Sequence, residues 1–523
     1  MKLPRVGRWA LRLGGGLLAL ALAIAFGFTL FAVGTLPPLQ PWHTELLDKE
    51  FSADTHGALD FAGYQRLEAG LFEELQLKTD DWARHGIDAS CARPGTSVAP
   101  ASGPGDAHAA DCASGAVEAF ENSRFNKSGW LHRLVDGAPY NRSFRLSSPQ
   151  PVGHALLVHG LTDSPYSMKA LADALHARGF EVTVLRLPGH GTLPSMMTEM
   201  SVRDWTAAVR IAARDVASRA PATQPFYLGG YSSGGTLALQ YALDALQDGA
   251  LRRPDRVLLV SPAIELTPVA ALAELIDLFS VVPLPVLDKV RWQAIAPELD
   301  PYKFNSFPVN ASRQINRATR SLHRSLAEAE RAGRLAQLPP VVTWQSVVDS
   351  TVGSVGVADR LYARLHHPAH RLVMFDVNRV PELRGLTRPA ARTLIERLER
   401  SPRGYTLDIV SNVAAQGARI GVLRLAPEGG RTSLATALDW PSGLVSLGHV
   451  ALPFPGDDPA YGFMPGSGRD GIPSIGSWLL RGEHGAITLS LGSLTRLRSN
   501  PFWALIEDDV AQLVTQDLAT PRR

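Results

Sequence analysis

Cysteine is almost missing from this chain: 523 residues hold two, Cys91 and Cys112. That scarcity excludes a disulfide-dense scaffold, and two thiols with no nearby ligand cluster cannot complete a four-ligand zinc site. Charge of one sign is missing too. The 52 Lys and Arg are balanced by 50 Asp and Glu, so no basic surface is concentrated enough to hold phosphates, and nucleic acid is excluded as a partner. Internal repeats are absent. With 45% hydrophobic and 20% charged residues, the composition is that of a chain able to bury a large core.

Long uncharged runs are equally scarce, with one exception. Residues 13–33 carry no charge, and Lys2, Arg5, Arg8 and Arg12 precede them. A run of that length crosses the hydrocarbon layer as a helix, with the basic 1–12 segment retained in the cytoplasm. A cleaved signal peptide is the competing reading; the length of the apolar run and the lack of a prompt small-x-small site stand against it. Both readings export everything after Pro37. Without those four basic residues the remainder is slightly acidic, so the positive sign of the net charge is a topology signal and not a sign of a polyanion partner.

Residues 34–150 read as an N-terminal extension. Phe61, Tyr64, Leu67, Leu71 and Leu75 fall at helical spacing, which predicts a helix there. Residues 92–115, with Pro94, Pro100, Pro104 and several glycines, bury too little apolar surface to offset their ordering entropy and are expected to be mobile. Both cysteines flank or enter that loop; a disulfide closing it and two free thiols both remain open.

From residue 151 to about 515 the pattern changes to short apolar runs alternating with amphipathic stretches, which predicts parallel strands joined by helical crossovers. Strands are expected at 155–158, 181–185, 226–228, 256–260, 341–345 and 371–375, and helices at 168–178, 202–218 and 234–246. Two intervals break the alternation. The first, 262–340, includes the apolar 269–279 run and suits a lid over an acyl-binding cleft or a helix packed on the core. The second, 378–448, is expected to carry extra strands at 405–410 and 419–425. A last helix is expected at 501–513.

Gly230-Tyr231-Ser232-Ser233-Gly234 sits between an expected strand and an expected helix. A serine on so sharp a turn has strained backbone angles, and the flanking glycines let strand and helix approach closely enough to expose its hydroxyl. Ser232 is therefore the expected nucleophile. The Ser233 amide then points into the site beside the helix N-terminus, and the Leu161 amide, just past the strand ending in His159-Gly160, is the expected second oxyanion donor. Such a pair needs neither cofactor nor metal, and none is expected.

His159-Gly160-Leu161-Thr162-Asp163-Ser164, Leu187-Pro188-Gly189-His190-Gly191 and the Ser232 motif together resemble the monoacylglycerol lipase, lysophospholipase and serine-aminopeptidase-like branch of the α/β hydrolases. The likeness is densest over 153–262. Asp300-Pro301-Tyr302-Lys303-Phe304-Asn305-Ser306-Phe307-Pro308 resembles membrane-anchored bacterial members of that branch. The resemblance implies an α/β-hydrolase fold with a mostly parallel sheet flanked by helices. It also implies an inner-membrane location with the catalytic domain periplasmic, and a triad acid just past a late strand. Asp349, following 341–345, fits that place; Asp376, ending 371–375, is the rival. Asp359 reads as a solvated helix residue. For the base, His366, His367, His370, His449 and His484 follow the acid in sequence. The first three read as surface residues, and His449, in a Gly-flanked segment beyond the core strands, satisfies the Ser, acid, His order. His159 reads as structural, and Tyr166 and His190 as candidates to line the pocket. The reaction this implies is hydrolysis of a carboxylic ester, such as a lysophospholipid or monoacylglycerol, through an acyl-enzyme. An aminopeptidase or amidase with the same triad, and a catalytically silent binding protein of this fold, are the alternatives.

Overall fold

The computed structural model of the protein describes residues 27, 34, 36–85, 117–137, 139–265, 285–383, 385–413, 417–477 and 496–520. The expected anchor at 13–33 (Gly27 apart), the apolar run 269–279, Cys91, Cys112 and His484 lie outside the described residues. Among the described residues no helix is long and apolar enough to cross a membrane.

One ten-stranded sheet organises the described chain, in the order β1-β3-β2-β4-β5-β8-β9-β10-β11-β12. Its strands are β1 Phe144–Leu146, β2 Gly153–Val158, β3 Phe180–Leu185, β4 Phe226–Tyr231, β5 Arg256–Val260, β8 Val341–Ser346, β9 Arg371–Phe375, β10 Thr406–Asn412, β11 Arg419–Leu425 and β12 Arg431–Asp439. The run from β3 to β10 is parallel, while β1, β11 and β12 pair antiparallel at the edges. A separate short ladder joins β6 Trp292–Ala294 to β7 Phe307–Pro308.

Parallel strands covered on both faces need apolar residues on both faces, which is why 155–158 in β2 and 257–260 in β5 are unbroken hydrophobic runs. Alternate residues go to opposite layers. Leu156, Val158, Leu228, Val257 and Leu259 pack with Trp205, Ala238 and Leu322 on one side. Ala155, Leu157, Tyr227 and Leu258 pack with Leu171, Leu175, Ile506 and Val510 on the other. Each of the Leu, Ile and Val side chains among them contributes about 1.5–3 kcal/mol by leaving water. The helix Val202–Arg219 starts cleanly because Ser201 and Asp204 cap each other's backbone N–H groups.

Three parts of the sequence reading are corrected. The sheet begins at β1, ahead of the expected start at 151, with three half-buried residues too short to show a period. The extra strands expected within 378–448 are present as β10 and β11 and extend the main sheet: β10 joins β9 in parallel register, and β11 and β12 continue it. The strand β12 escaped notice because it is an exposed edge rich in Thr, Ser and Ala, with no buried face to impose alternation. His370 is buried, not at the surface, and its Nδ1 accepts the Val341 N–H at 3.1 Å. His366 and His367 are exposed.

The N-terminal extension is part of the globule. Its helix Phe61–His85 buries Phe61, Tyr64, Leu71 and Trp82. Trp42, Leu47, Leu71 and Trp82 form a cluster with Phe125, Leu193 and Met196. Beneath it, the fully buried Arg186 receives two carboxylates from the extension: Glu50 at 2.9 Å and Glu68 at 2.9 Å. In the 262–340 interval, the helix Val309–Arg331 buries Ile315, Leu322 and Leu326, so its described part is a layer over the sheet.

Candidate active site

β4 ends at Tyr231 and the helix Ser233–Asp244 begins at Ser233, leaving Ser232 as the hinge between them. Its φ of 54° and ψ of −119° fall where side chains other than glycine are rarely found. Strain of this kind costs about 1–3 kcal/mol and persists only where the surroundings enforce it. Here the end of β5 does so: the Ser232 N–H donates to Val260 O at 3.0 Å, and Ser232 O accepts from the Ala263 N–H at 3.0 Å. The neighbouring glycines are sterically required. A Cβ on Gly230 would collide with the Gly234 backbone, and one on Gly234 with Val158 O.

His449 opens a short helical turn, His449–Ala451, and is buried. Its Nδ1 donates to Asp349 Oδ2 at 2.8 Å, which leaves Nε2 as the basic nitrogen of the neutral ring. Asp349 also accepts from Gln345 Nε2 at 3.1 Å and from the amides of Thr351 and Val352, each at 2.9 Å. Burial alone would raise its carboxyl; His449 and the two amides outweigh burial and hold it below the usual carboxylate range. Asp376 is engaged elsewhere, by Arg379 and by Ser411 Oγ at 2.7 Å.

The hundred-residue gap between acid and histidine is the chain that builds β9 to β12 before it returns across the sheet. The returning loop is fastened to strand ends on its way to His449. Asn378 N–H donates to Val445 O at 2.8 Å, Asn378 Nδ2 to Leu444 O at 3.0 Å, and Ser346 Oγ to Leu447 O at 2.9 Å. Tyr231, the residue before Ser232, completes the anchorage. Its hydroxyl donates to His449 O at 3.3 Å, and its ring lies 4.9 Å from the imidazole. Nothing in the sequence beyond adjacency to the serine marked Tyr231, and Gln345 carried no signal at all.

The turn after β2 holds the Leu161 amide. Among the described residues, neither this N–H nor that of Ser233 has a protein acceptor. His159 is structural: Nδ1 donates to Gly160 O at 2.8 Å and Nε2 accepts the Leu187 N–H at 2.9 Å, and burial keeps the ring neutral. A Cβ on Gly160 would press on both Asp163 and the Tyr231 ring, so the turn after β2 is packed directly against the residue that precedes Ser232. His190 is buried, with Nδ1 donating to Pro188 O at 3.0 Å. Tyr166 OH donates to Asp458 at 3.0 Å, which ties the turn to the loop beyond His449. Among the described residues, no group of three or more His, Cys, Asp or Glu side chains is placed to hold a metal ion.

Residues 149–375 match the family described as serine aminopeptidase, S33. A 92-residue stretch is 41% identical to the thermostable monoacylglycerol lipase of Bacillus sp. (strain H-257), spanning 18% of this chain and 35% of that protein. The chain thus matches about a third of the length of this relative. Among solved structures, a metagenome-derived lipolytic enzyme described with LipS and LipT is 21% identical, with a TM-score of 0.36 over 46% of this chain and 89% of its own. The monoacylglycerol lipase of Paleococcus ferrophilus is 20% identical, with a TM-score of 0.33 over 49% of this chain and 97% of its own.

Proposed function

Residues 149–375 belong to the α/β hydrolases, in their monoacylglycerol lipase and serine-aminopeptidase-like branch, and from that premise we propose that this chain is a serine hydrolase of carboxylic esters of lipids, with monoacylglycerols and lysophospholipids as the substrate class. The observations that carry the reading are a strained, β5-braced Ser232 and a His449 that is tied to the preceding residue, Tyr231, and whose Nδ1 is held by an ionised Asp349. His449 Nε2 takes the Ser232 proton as Oγ attacks the ester carbonyl; the Leu161 and Ser233 amides receive the oxyanion; Asp349 orients the ring and stabilises the imidazolium. The imidazolium protonates the leaving alcohol, and water then releases the acid by the same route in reverse.

Aminopeptidase activity is the second reading, favoured by the name of the matched family. It needs a carboxylate to receive the substrate's α-ammonium. Among the described residues, the three carboxylates nearest the turn after β2 already have partners: Asp163 has Lys303, Asp300 has Arg498 and Tyr461, and Asp458 has Tyr166 and the amides of Ala460 and Tyr461. That supports the ester. Turnover of p-nitrophenyl esters and monoacylglycerols against aminoacyl amides separates the two; turnover of the amides alone would refute the ester reading.

Residues 13–33 are proposed to hold the domain on the periplasmic face of a bacterial inner membrane. The chain just beyond them is docked, not trailing: Leu36 and Leu39 pack with Trp292 and Ile295, and Lys289 Nζ donates to Leu36 O at 2.8 Å. Such a tether keeps the site within reach of lipid esters. Protease protection of residues 1–12, with digestion of the domain, in right-side-out vesicles is the expected result.

A further inference from the structure

The stretch Asp300-Pro301-Tyr302-Lys303-Phe304 has no role in the chemistry above, yet it lies across the turn that carries the Leu161 amide. Three consecutive residues grip that turn. Tyr302 stacks on Tyr166 with ring centroids 3.9 Å apart. Lys303 Nζ lies 3.2 and 3.3 Å from the two carboxylate oxygens of Asp163. The Phe304 N–H donates to Thr162 O at 2.8 Å.

The gripped turn is strained. Thr162 has a φ of 64°, an outlier for a β-branched residue, which reverts to an ordinary conformation unless its surroundings enforce the strained one. The gripping stretch is itself braced. Buried Asp300 accepts from the amides of Tyr302 at 3.1 Å and Lys303 at 3.0 Å, and pairs with Arg498 at 3.3 Å. The Phe304 ring sits 5.2 Å from the Arg124 guanidinium. Force applied at Thr162 is therefore resisted by a rigid partner and not by a free loop.

We propose that Lys303 is a positioning residue: with the Phe304 amide it holds the Thr162-Asp163 turn in the strained form that aims the Leu161 N–H at the oxyanion. The inference rests on the Ser232 reading given above. Charge works in the same direction. Asp163 is buried, and an uncompensated carboxylate beside the place where oxyanion charge develops would oppose the reaction; the Lys303 ammonium cancels it.

The test uses the full chain in neutral detergent, a p-nitrophenyl ester and a fluorophosphonate probe that counts competent sites. Lys303→Met is expected to lower kcat per labelled site by about 10–100-fold with KM within about threefold, the pattern of a lost transition-state interaction. Its deficit should widen as pH rises and Asp163 ionises without its cation. Lys303→Arg should recover most of the rate. Where Lys303→Met yields little folded protein, Asp163→Asn cuts the same ion pair and leaves no buried carboxylate, only the part-exposed Lys303 ammonium that water can solvate; the turn loses its clamp, and kcat should again fall with KM kept. Wild-type kcat per labelled site in either variant, or a loss that Lys303→Arg does not recover, overturns the positioning role and leaves Ser232 untouched. A folded wild type that never labels would instead remove the reading beneath it.

Discussion

Two buried acid–base assemblies stand on the same sheet and are built to opposite ends. Asp349 and His449 form a pair in which the ring and two backbone amides hold the buried acid ionised, and on the reading proposed above this pair serves the reaction. Arg186, with Glu50 and Glu68, is permanently charged. The guanidinium is held on two sides at 2.9 Å, its backbone carbonyl accepts from Tyr64 OH at 2.6 Å, and the neighbouring carboxylates push its proton affinity still higher despite burial. The first assembly surrounds its carboxylate with donors that tune it. The second uses its charges as bolts between an N-terminal extension and the Leu187 to Gly191 turn, where Glu50 also accepts the Gly189 N–H at 3.0 Å. Burial of charge by itself therefore does not mark a reactive site.

Substitutions should separate the two assemblies by what they damage. Asp349→Asn is expected to reduce kcat by about 10³–10⁴-fold with the unfolding midpoint little changed, because the amide leaves the ring in the wrong tautomer. Asp376→Asn, tied to Arg379 and Ser411 instead, should cost roughly 1–3 kcal/mol of stability and leave the rate per labelled site near wild type. If Asp376→Asn carried the kinetic loss, the acid would be misassigned. Arg186→Met should do the reverse of Asp349→Asn: it strands two buried carboxylates and is expected to lower the urea unfolding free energy by about 3–5 kcal/mol, while labelled sites keep turning over. A kinetic defect at full stability would erase the distinction drawn here.

The smallest expected effect concerns Asp458, a carboxyl that burial raises to about 6. Its folded value lies above its unfolded one, so the folded state binds the extra proton between about pH 4 and 6. The stability it contributes is present below that window and lost as pH rises through about 6, up to about 3 kcal/mol in full. Thermal unfolding from pH 4.5 to 7.5 should show wild type losing ground against Asp458→Asn with rising pH. A constant difference would mean that the carboxyl is not held protonated by the fold.

The same contrast governs what the sequence discloses. Strands β2, β3, β4, β5, β8 and β9 lie at or within three residues of their expected bounds, because both faces of each are buried and a continuous apolar run is a local property. The serine elbow is local as well, since Gly230, Ser232 and Gly234 must be adjacent for steric reasons. What escaped reading depends on distant partners. Glu50 meets Arg186 across 136 residues, and Asp163 meets Lys303 across 140; no spacing rule links them. The membership of β10 and β11 in the main sheet, and the burial of His370, likewise follow from pairing and not from period. Asp349, three residues past β8, and Asp376, directly after β9, both follow parallel strands, and the family pattern only ranked the first above the second; side-chain geometry shows which one reaches His449.

The central claim is that the fold holds Ser232 as an activated nucleophile. Mass spectrometry of the folded full chain after fluorophosphonate treatment tests it directly. A single adduct on the peptide containing Ser232, abolished by Ser232→Ala, is the predicted result. A folded wild type without adduct, or an adduct that persists on Ser233 or another residue in Ser232→Ala, would contradict it.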